Sequence, residues 1–373
     1  MSGRFSRFSW LVGILLIVIL VGLAVWGVQF LADRRLAEAL EHARTSLPAQ
    51  VRLTYGAHSV DLGEQTFEVN DVRLSENDRV LTVASIEGQG VDIGLGLELR
   101  SIGTVTMRGG TLVDDSGRKI TFDLMSLHDV DPARLEALLK ASPHVSLELL
   151  QAINGAVRVQ GLHAIMPGFM LDVPQATLVR EAAPRNRERF TIIADDIDIS
   201  PEELPVIGYG ILPELRKVHL EAALTRSATE PLSVLKMTAS AAGFGQIDLS
   251  SQIAGVSGTS SAGTIPAVGV SRVTYRDGGF VDQRMTAIAN ELGISRVDLA
   301  RRIGDLIAKR IRARGDLLQD AVRQTVAFLT KPGTIAVEIG PDQPVAPLVA
   351  ISLGLFAPEN LAQMLRLKVM AEQ

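Results

Sequence analysis

Cysteine is absent from all 373 residues, so the chain holds neither a disulfide framework nor a thiolate metal site. A chain without thiols suits an oxidising compartment, where a stray cysteine invites unwanted pairing. Aromatic residues make up 4% of the chain, with 2 Trp and 3 Tyr, too few for the stacking platform on which single-stranded nucleic acid rests. Positive charge is not in excess either. The net charge is −5, which removes the electrostatic case for nucleic acid as a partner. The 6 histidines never form a close His-x-x-x-His pair, and no phosphate loop, GxGxxG or GxSxG elbow occurs. The expectation is a protein without catalytic residues, cofactor or metal. A membrane-tethered hydrolase is the catalytic alternative, because a Ser/Lys dyad leaves almost no trace in one sequence. Asp195, Asp196 and Asp198 are the densest acidic group. Period two puts Asp196 and Asp198 on one strand face and Asp195 on the other, the pattern of solvated strand-end carboxylates.

What the chain does contain is a long apolar run. Residues 10–32, WLVGILLIVILVGLAVWGVQFLA, are 23 without a charge. As a helix they reach about 34 Å, against a hydrocarbon core of about 30 Å. A cleaved signal peptide is the competing reading, but its apolar region is only about 7–15 residues. The small residues at 22–24 and 25–27 that would suit cleavage lie inside this run. Trp10 and Trp26 are the expected membrane-edge anchors. Arg4 and Arg7 precede the run, while Arg34, Arg35 and Arg44 follow it, so the count of cations does not orient it. Large downstream domains cross largely regardless of charge. The expected arrangement is a cytoplasmic head at 1–9, a single-pass anchor at 10–32 and a body outside the membrane.

After a helical stalk at 33–48, stopped by Pro48, the apolar period changes to two. Val51, Leu53 and Tyr55, then Val60 and Leu62, Phe67 and Val69, and Val72 and Leu74 alternate between turn signals. Strand-like runs continue at 80–86, 95–102, 104–113 and 119–124, a first β-unit over 49–131. A helical insert at 132–156 opens on Pro132. A second β-unit over 157–276 follows, with a Pro/Gly-rich crossover at 201–213 and a Ser/Gly-rich loop at 255–263. Residues 277–331 return to the helical period as three helices, and 332–373 form a closing strand and helix unit. Short strands at close spacing without intervening helices predict an antiparallel meander. The fold class is thus α+β and β-rich: a transmembrane helix, an elongated antiparallel meander that can curve into a groove, helical inserts and a C-terminal helical cluster.

Two candidate surfaces stand out. Residues 296–314 carry seven cations against Asp298 and Asp305, with Val297, Ala300, Ile307 and Ile311 on the opposing face. Arg301, Arg302, Lys309 and Arg310 are candidate contacts to anionic lipid. The plainer reading is a core-packing helix with a solvated basic face. On the strand at 104–113, period two places Val105, Met107 and Gly109 on one face, and Val105 and Met107 are candidate groove lining.

Residues 53–75, LTYGAHSVDLGEQTFEVNDVRLS, resemble the opening β-units of AsmA-like bacterial envelope proteins. Residues 270–295, VSRVTYRDGGFVDQRMTAIANELGIS, and 328–348, FLTKPGTIAVEIGPDQPVAPL, resemble the closing part of related inner-membrane-anchored Gram-negative proteins of unassigned function. The residues carrying this second likeness are Tyr275, Asp277, Gly278, Arg284, Gly293, Pro332 and the Pro341-x-x-Pro344 turn. The resemblance implies a periplasmic, apolar-lined groove tied to outer-membrane assembly and phospholipid handling, with no catalytic motif to carry over. The expected protein is therefore a noncatalytic one in the bacterial inner membrane, with its N-terminus cytoplasmic and its body periplasmic. Its partners are the bilayer, phospholipid and other envelope proteins. It shelters or moves phospholipid or supports outer-membrane assembly, or else scaffolds envelope partners without binding lipid. An exposed apolar inner face favours the first role and a filled core the second.

Overall fold

The computed structural model describes residues 51–61, 63–76, 79–93, 99–114, 117–131, 152–166, 168–183, 187–201, 215–227, 232–255, 267–311 and 315–372, with positions 37, 41, 44 and 134. The expected span at 10–32, with Trp10 and Trp26, lies outside the described residues. So do most of the stalk, the insert and the crossover. Of the stalk, Ala37, Glu41 and Arg44 are helical, and Arg44 pairs with Glu41 at 2.9 Å. The chain divides into two compact units, Met1–Arg180 with Ala194–Glu214, and Glu181–Ile193 with Leu215–Gln373.

The first unit is the expected antiparallel meander. It contains β1 (Val51–Thr54), β2 (His58–Asp61), β3 (Thr66–Glu76), β4 (Arg79–Ile93), β5 (Leu99–Val113), β6 (Lys119–Val130), β7 (Ala156–Met166) and most of β8 (Phe169–Ala183). From β3 to β8 each strand pairs with the next, and β1 and β2 both pair with β3.

Two lines of left-handed residues cross this meander. Asp71, Gly109 and Gly161 have φ of 53°, 59° and 61°. The ladder passes from Asn70↔Ser85 to Val72↔Val83, and from Arg108↔Leu124 to Gly110↔Phe122, stepping over one residue in each strand. Gly90 and Asp129, with φ of 66° and 52°, mark a second line. There Gln89↔Thr104 gives way to Val91↔Ile102, and Thr104↔His128 to Ile102↔Val130. Gly and Asp are among the residues that take positive φ at least cost. Because both partners skip together, pairing stays in register while the buried face shifts, from Val69 to Val72, Met107 to Gly110 and Leu127 to Val130. Strict alternation had put Gly109 with Val105 and Met107. Its left-handed backbone instead leaves Gly109 exposed and turns Gly110 inward. For the same reason the two runs at 67–69 and 72–74 are one strand; residues 99–102 and 104–113 are likewise continuous within β5.

Aromatic rings fill the space that glycine leaves on the neighbouring strand. Phe67 lies over its register partner Gly88 and Phe122 over Gly110, so that a Cβ on either glycine would fall 2.0 Å from a ring atom. Each buried ring contributes about 1.5–3 kcal/mol.

In the second unit, β10 (Leu215–Ser227), β11 (Leu232–Ala241), β12 (Gly245–Ala254), β13 (Ala267–Asp277), β14 (Thr334–Ile339) and β15 (Lys368–Glu372) pair in chain order, all antiparallel. Between β13 and β14 run the three expected helices, α1 (Phe280–Leu292), α2 (Arg296–Arg310) and α3 (Asp316–Thr330). Gly293, at φ 62°, ends α1. Ser295 caps the start of α2, its Oγ accepting from Asp298 N–H at 3.1 Å. Met285, Ala289, Leu299 and Ala300 form the helical core, with Ile303, Val326 and Leu329 against it. Gly304 lets α2 and α3 approach, since a Cβ there would lie 2.3 Å from Val326 Cγ2. After β14 come α4 (Pro347–Phe356) and α5 (Pro358–Met364). The sequence reading had anticipated α5 but not α4.

Candidate functional site

Of the residues that carried the likeness at 270–295, Tyr275, Asp277, Gly278 and Arg284 lie at the corner where β13 becomes α1, while Gly293 closes the far end of α1. The Tyr275 hydroxyl lies 2.7 Å from the Phe244 carbonyl oxygen and 2.8 Å from Asp277 Oδ1, two acceptors sharing one proton. The Asp277 carboxylate also accepts from Val281 N–H at 3.0 Å and Asp282 N–H at 3.3 Å. An anion there satisfies the free donors of the helix start and faces the positive end of its dipole. Gly278 and Gly245 pack backbone to backbone, a Cβ on Gly278 falling 2.6 Å from Gly245 N. Phe244, Tyr275, Phe280 and Phe328 stack around the corner, with ring centroids 5.4–6.0 Å apart. Arg284 lies over the Phe280 ring at 5.8 Å. Burial raises the Tyr275 pKa, and the hydrogen bond and charge of Asp277 add to the rise. A tyrosine held neutral and a carboxylate occupied by backbone donors form a brace. The tyrosine hydroxyl is thus kept protonated near neutral pH.

The basic helix presents its cations as expected. Arg301, Arg302, Lys309 and Arg310 are all exposed, and Arg301 pairs with half-buried Asp298 at 3.1 Å. Two details differ from the sequence reading. Val297, placed there on the packing face, is exposed, because the buried stripe runs through Leu299, Ala300, Ile303 and Gly304 and leaves it at the margin. Leu306 is 67% exposed, one turn from Arg302 on one side and from Lys309 and Arg310 on the other.

Val105 and Met107 are 0% and 2% exposed. They stand in rows with their register partners Gly88 and Leu127, and Ile86 and Met125, as members of a buried face. In β9 (Arg187–Pro201), Asp195 and Asp196 are exposed while Ala194 and Ile197 are buried. With Asp196 at φ 54°, period two does not run through the trio, so the expected face assignment fails there. Among the described residues no group of three or more His, Cys, Asp or Glu could hold a metal ion. An open depression of about 460 Å³ on the second unit's sheet holds Arg272, Glu338, Arg366 and Lys368 beside Val234 and Val270. Arg272 is paired with Glu338 at 3.1 Å, and the Ser271 hydroxyl, which also lines the depression, bonds the Ser251 hydroxyl at 2.7 Å and the Gly269 carbonyl at 3.2 Å.

The element missed in sequence is also the least polar on the described surface. Helix α4, PLVAISLGLF, starts with Pro347 at its first position and carries no charge. Leu348, Val349 and Ile351 are exposed, the first and last at 65% and 59%. Its signal was present as a Pro at a helix start followed by nine residues without a turn former other than Gly354. Because it is apolar all round, however, it shows no amphipathic period. Among the described residues no helix is long and apolar enough to cross a membrane.

A family model described as "Uncharacterized protein" matches residues 235–372, a stretch that holds most of β11, β12 through β15, the Tyr275 corner and the helices α1 to α5. No curated protein matches the chain.

Proposed function

We propose that this chain is a noncatalytic, membrane-anchored protein of the Gram-negative envelope, held at the inner membrane by residues 10–32 with its body in the periplasm. There it scaffolds envelope partners, in the setting of outer-membrane assembly and phospholipid handling that the AsmA-like resemblance implies. The observation that favours scaffolding over enclosing lipid is the burial of Val105 and Met107, the two side chains expected to line an acyl groove. A face whose apolar residues are already covered behaves as a core. The exposed apolar residues Val270 and Leu292 of the second unit offer contact at the surface instead.

The test is a charge placed on the buried face, in Val105→Asp and Met107→Asp. An unpaired carboxylate in a closed core costs several kcal/mol, whereas one in an open groove stays hydrated. Each variant is expected to melt far below the parent or to fail to accumulate. Native mass spectrometry after gentle extraction provides the opposing readout. A variant that melts like the parent but loses a copurifying phospholipid would restore the lipid-sheltering role and overturn the scaffold.

A further inference from the structure

Helix α4 has a surface that water does not suit. From Gln343 to Pro358 the sequence holds no charged residue. The one hydroxyl in the helix, on Ser352, donates to the Leu348 carbonyl at 2.8 Å, so its hydrogen-bonding capacity is turned back on the helix. Leu348, Val349 and Ile351 project from it exposed. Gly354 sits against α5, where a Cβ would fall 3.3 Å from Leu361 Cδ2. An apolar helix belongs inside a core or inside lipid. Ten residues reach only about 15 Å, half the hydrocarbon thickness, so α4 cannot span.

We infer that α4 is an interfacial helix that lies in the headgroup boundary of the bilayer, with Leu348, Val349 and Ile351 entering the acyl region. The inference rests on the membrane anchor proposed above, which holds the chain beside a bilayer at all times. Each methylene moved into lipid contributes about 0.8 kcal/mol, and tethering makes the second contact intramolecular, so modest affinity suffices. The same unit presents Arg301, Arg302, Lys309 and Arg310, exposed around Leu306, which suits anionic headgroups. An uncharged helix and a cationic helix in one unit favour a lipid surface over a protein groove.

The absence of cysteine makes single-site labelling specific. The full chain is reconstituted into vesicles of phosphatidylethanolamine and phosphatidylglycerol. Leu348→Cys, Ile351→Cys and, for the anchor, Val18→Cys each carry a polarity-sensitive fluorophore. Spin-labelled lipid and aqueous iodide serve as opposing quenchers. The labels at 348 and 351 should shift to the blue, lose emission to spin-labelled lipid and resist iodide. If the label at 18 is quenched by lipid while those at 348 and 351 stay open to iodide, the docking of α4 is wrong and the anchor stands. Shielding from iodide without quenching by lipid means that protein, a second copy or a partner, covers the helix, and overturns the inference. If 18 is not quenched but 348 and 351 are, the anchor reading falls and the docking survives. If none is quenched, both fall.

Discussion

At the scale of single residues, Tyr275 shows how a side chain that marks a likeness in sequence can be spent on architecture. Its hydroxyl joins β13 to the 244 turn and to the carboxylate that starts α1. Removing the oxygen in Tyr275→Phe takes away one partly buried hydrogen bond, worth about 1 kcal/mol, and should lower the melting temperature at neutral pH. The pH dependence is more specific. An acid whose folded pKa is raised above its unfolded value of about 10 stabilises the fold through its neutral form. That contribution is complete below the unfolded pKa and is lost as pH rises toward the folded one. The parent should therefore lose stability on going alkaline beyond about pH 10, and Tyr275→Phe should show a flatter profile there. Equal alkaline slopes in the two proteins, measured by thermal melts across pH, would mean that the brace does not hold the hydroxyl neutral.

At the scale of elements, the glycines of the meander carry more information than its strands. Gly110 faces Phe122 across β5 and β6, and a methyl group would collide with the ring at 2.0 Å. Gly110→Ala should destabilise by about 1–3 kcal/mol, as overpacking of a well-filled core does. Phe122→Leu shortens the opposing side chain, so the double variant should recover part of the loss in a thermodynamic cycle. Additive losses would show that ring and glycine do not touch. These pairs also mark the limit of what the sequence made legible. Period two located strand runs such as 104–113 and 119–124, the first ending where β5 ends and the second beginning where β6 begins. It failed at Asp71, Gly109, Asp129 and Asp196, where a left-handed residue shifts the face while hydrogen bonding continues. Such a step reads in sequence as a strand end or as a misplaced face. Helix α4 failed for the converse reason, having no polar face to reveal its period. The basic residues of α2 were legible because exposed charge is what charge patterning reports, whereas Leu306 among them was not.

At the scale of the whole molecule, one segment bears the entire case for a crossing of the membrane. Among the described residues no helix is long and apolar enough to cross a bilayer, so the proposed anchoring rests on residues 10–32. That makes it separable by substitution. Val18→Arg with Val21→Arg puts two charges near the middle of the run, where each costs about 2.5–3.5 kcal/mol on insertion scales. The parent should remain in the inner-membrane fraction, and an export reporter fused after Gln373 should be active in the periplasm. The double variant should leave the membrane fraction. Because the meander and the Tyr275 corner do not draw on residues 10–32 for the bonds described above, whatever chain accumulates should still show the parent's strand-rich circular dichroism. Reporter activity confined to the cytoplasm would reverse the orientation. A mature chain beginning near Val25 or Val28, found by N-terminal sequencing, would show instead that the run is a cleaved leader, and the scaffold would then have to reach the membrane through its own surface.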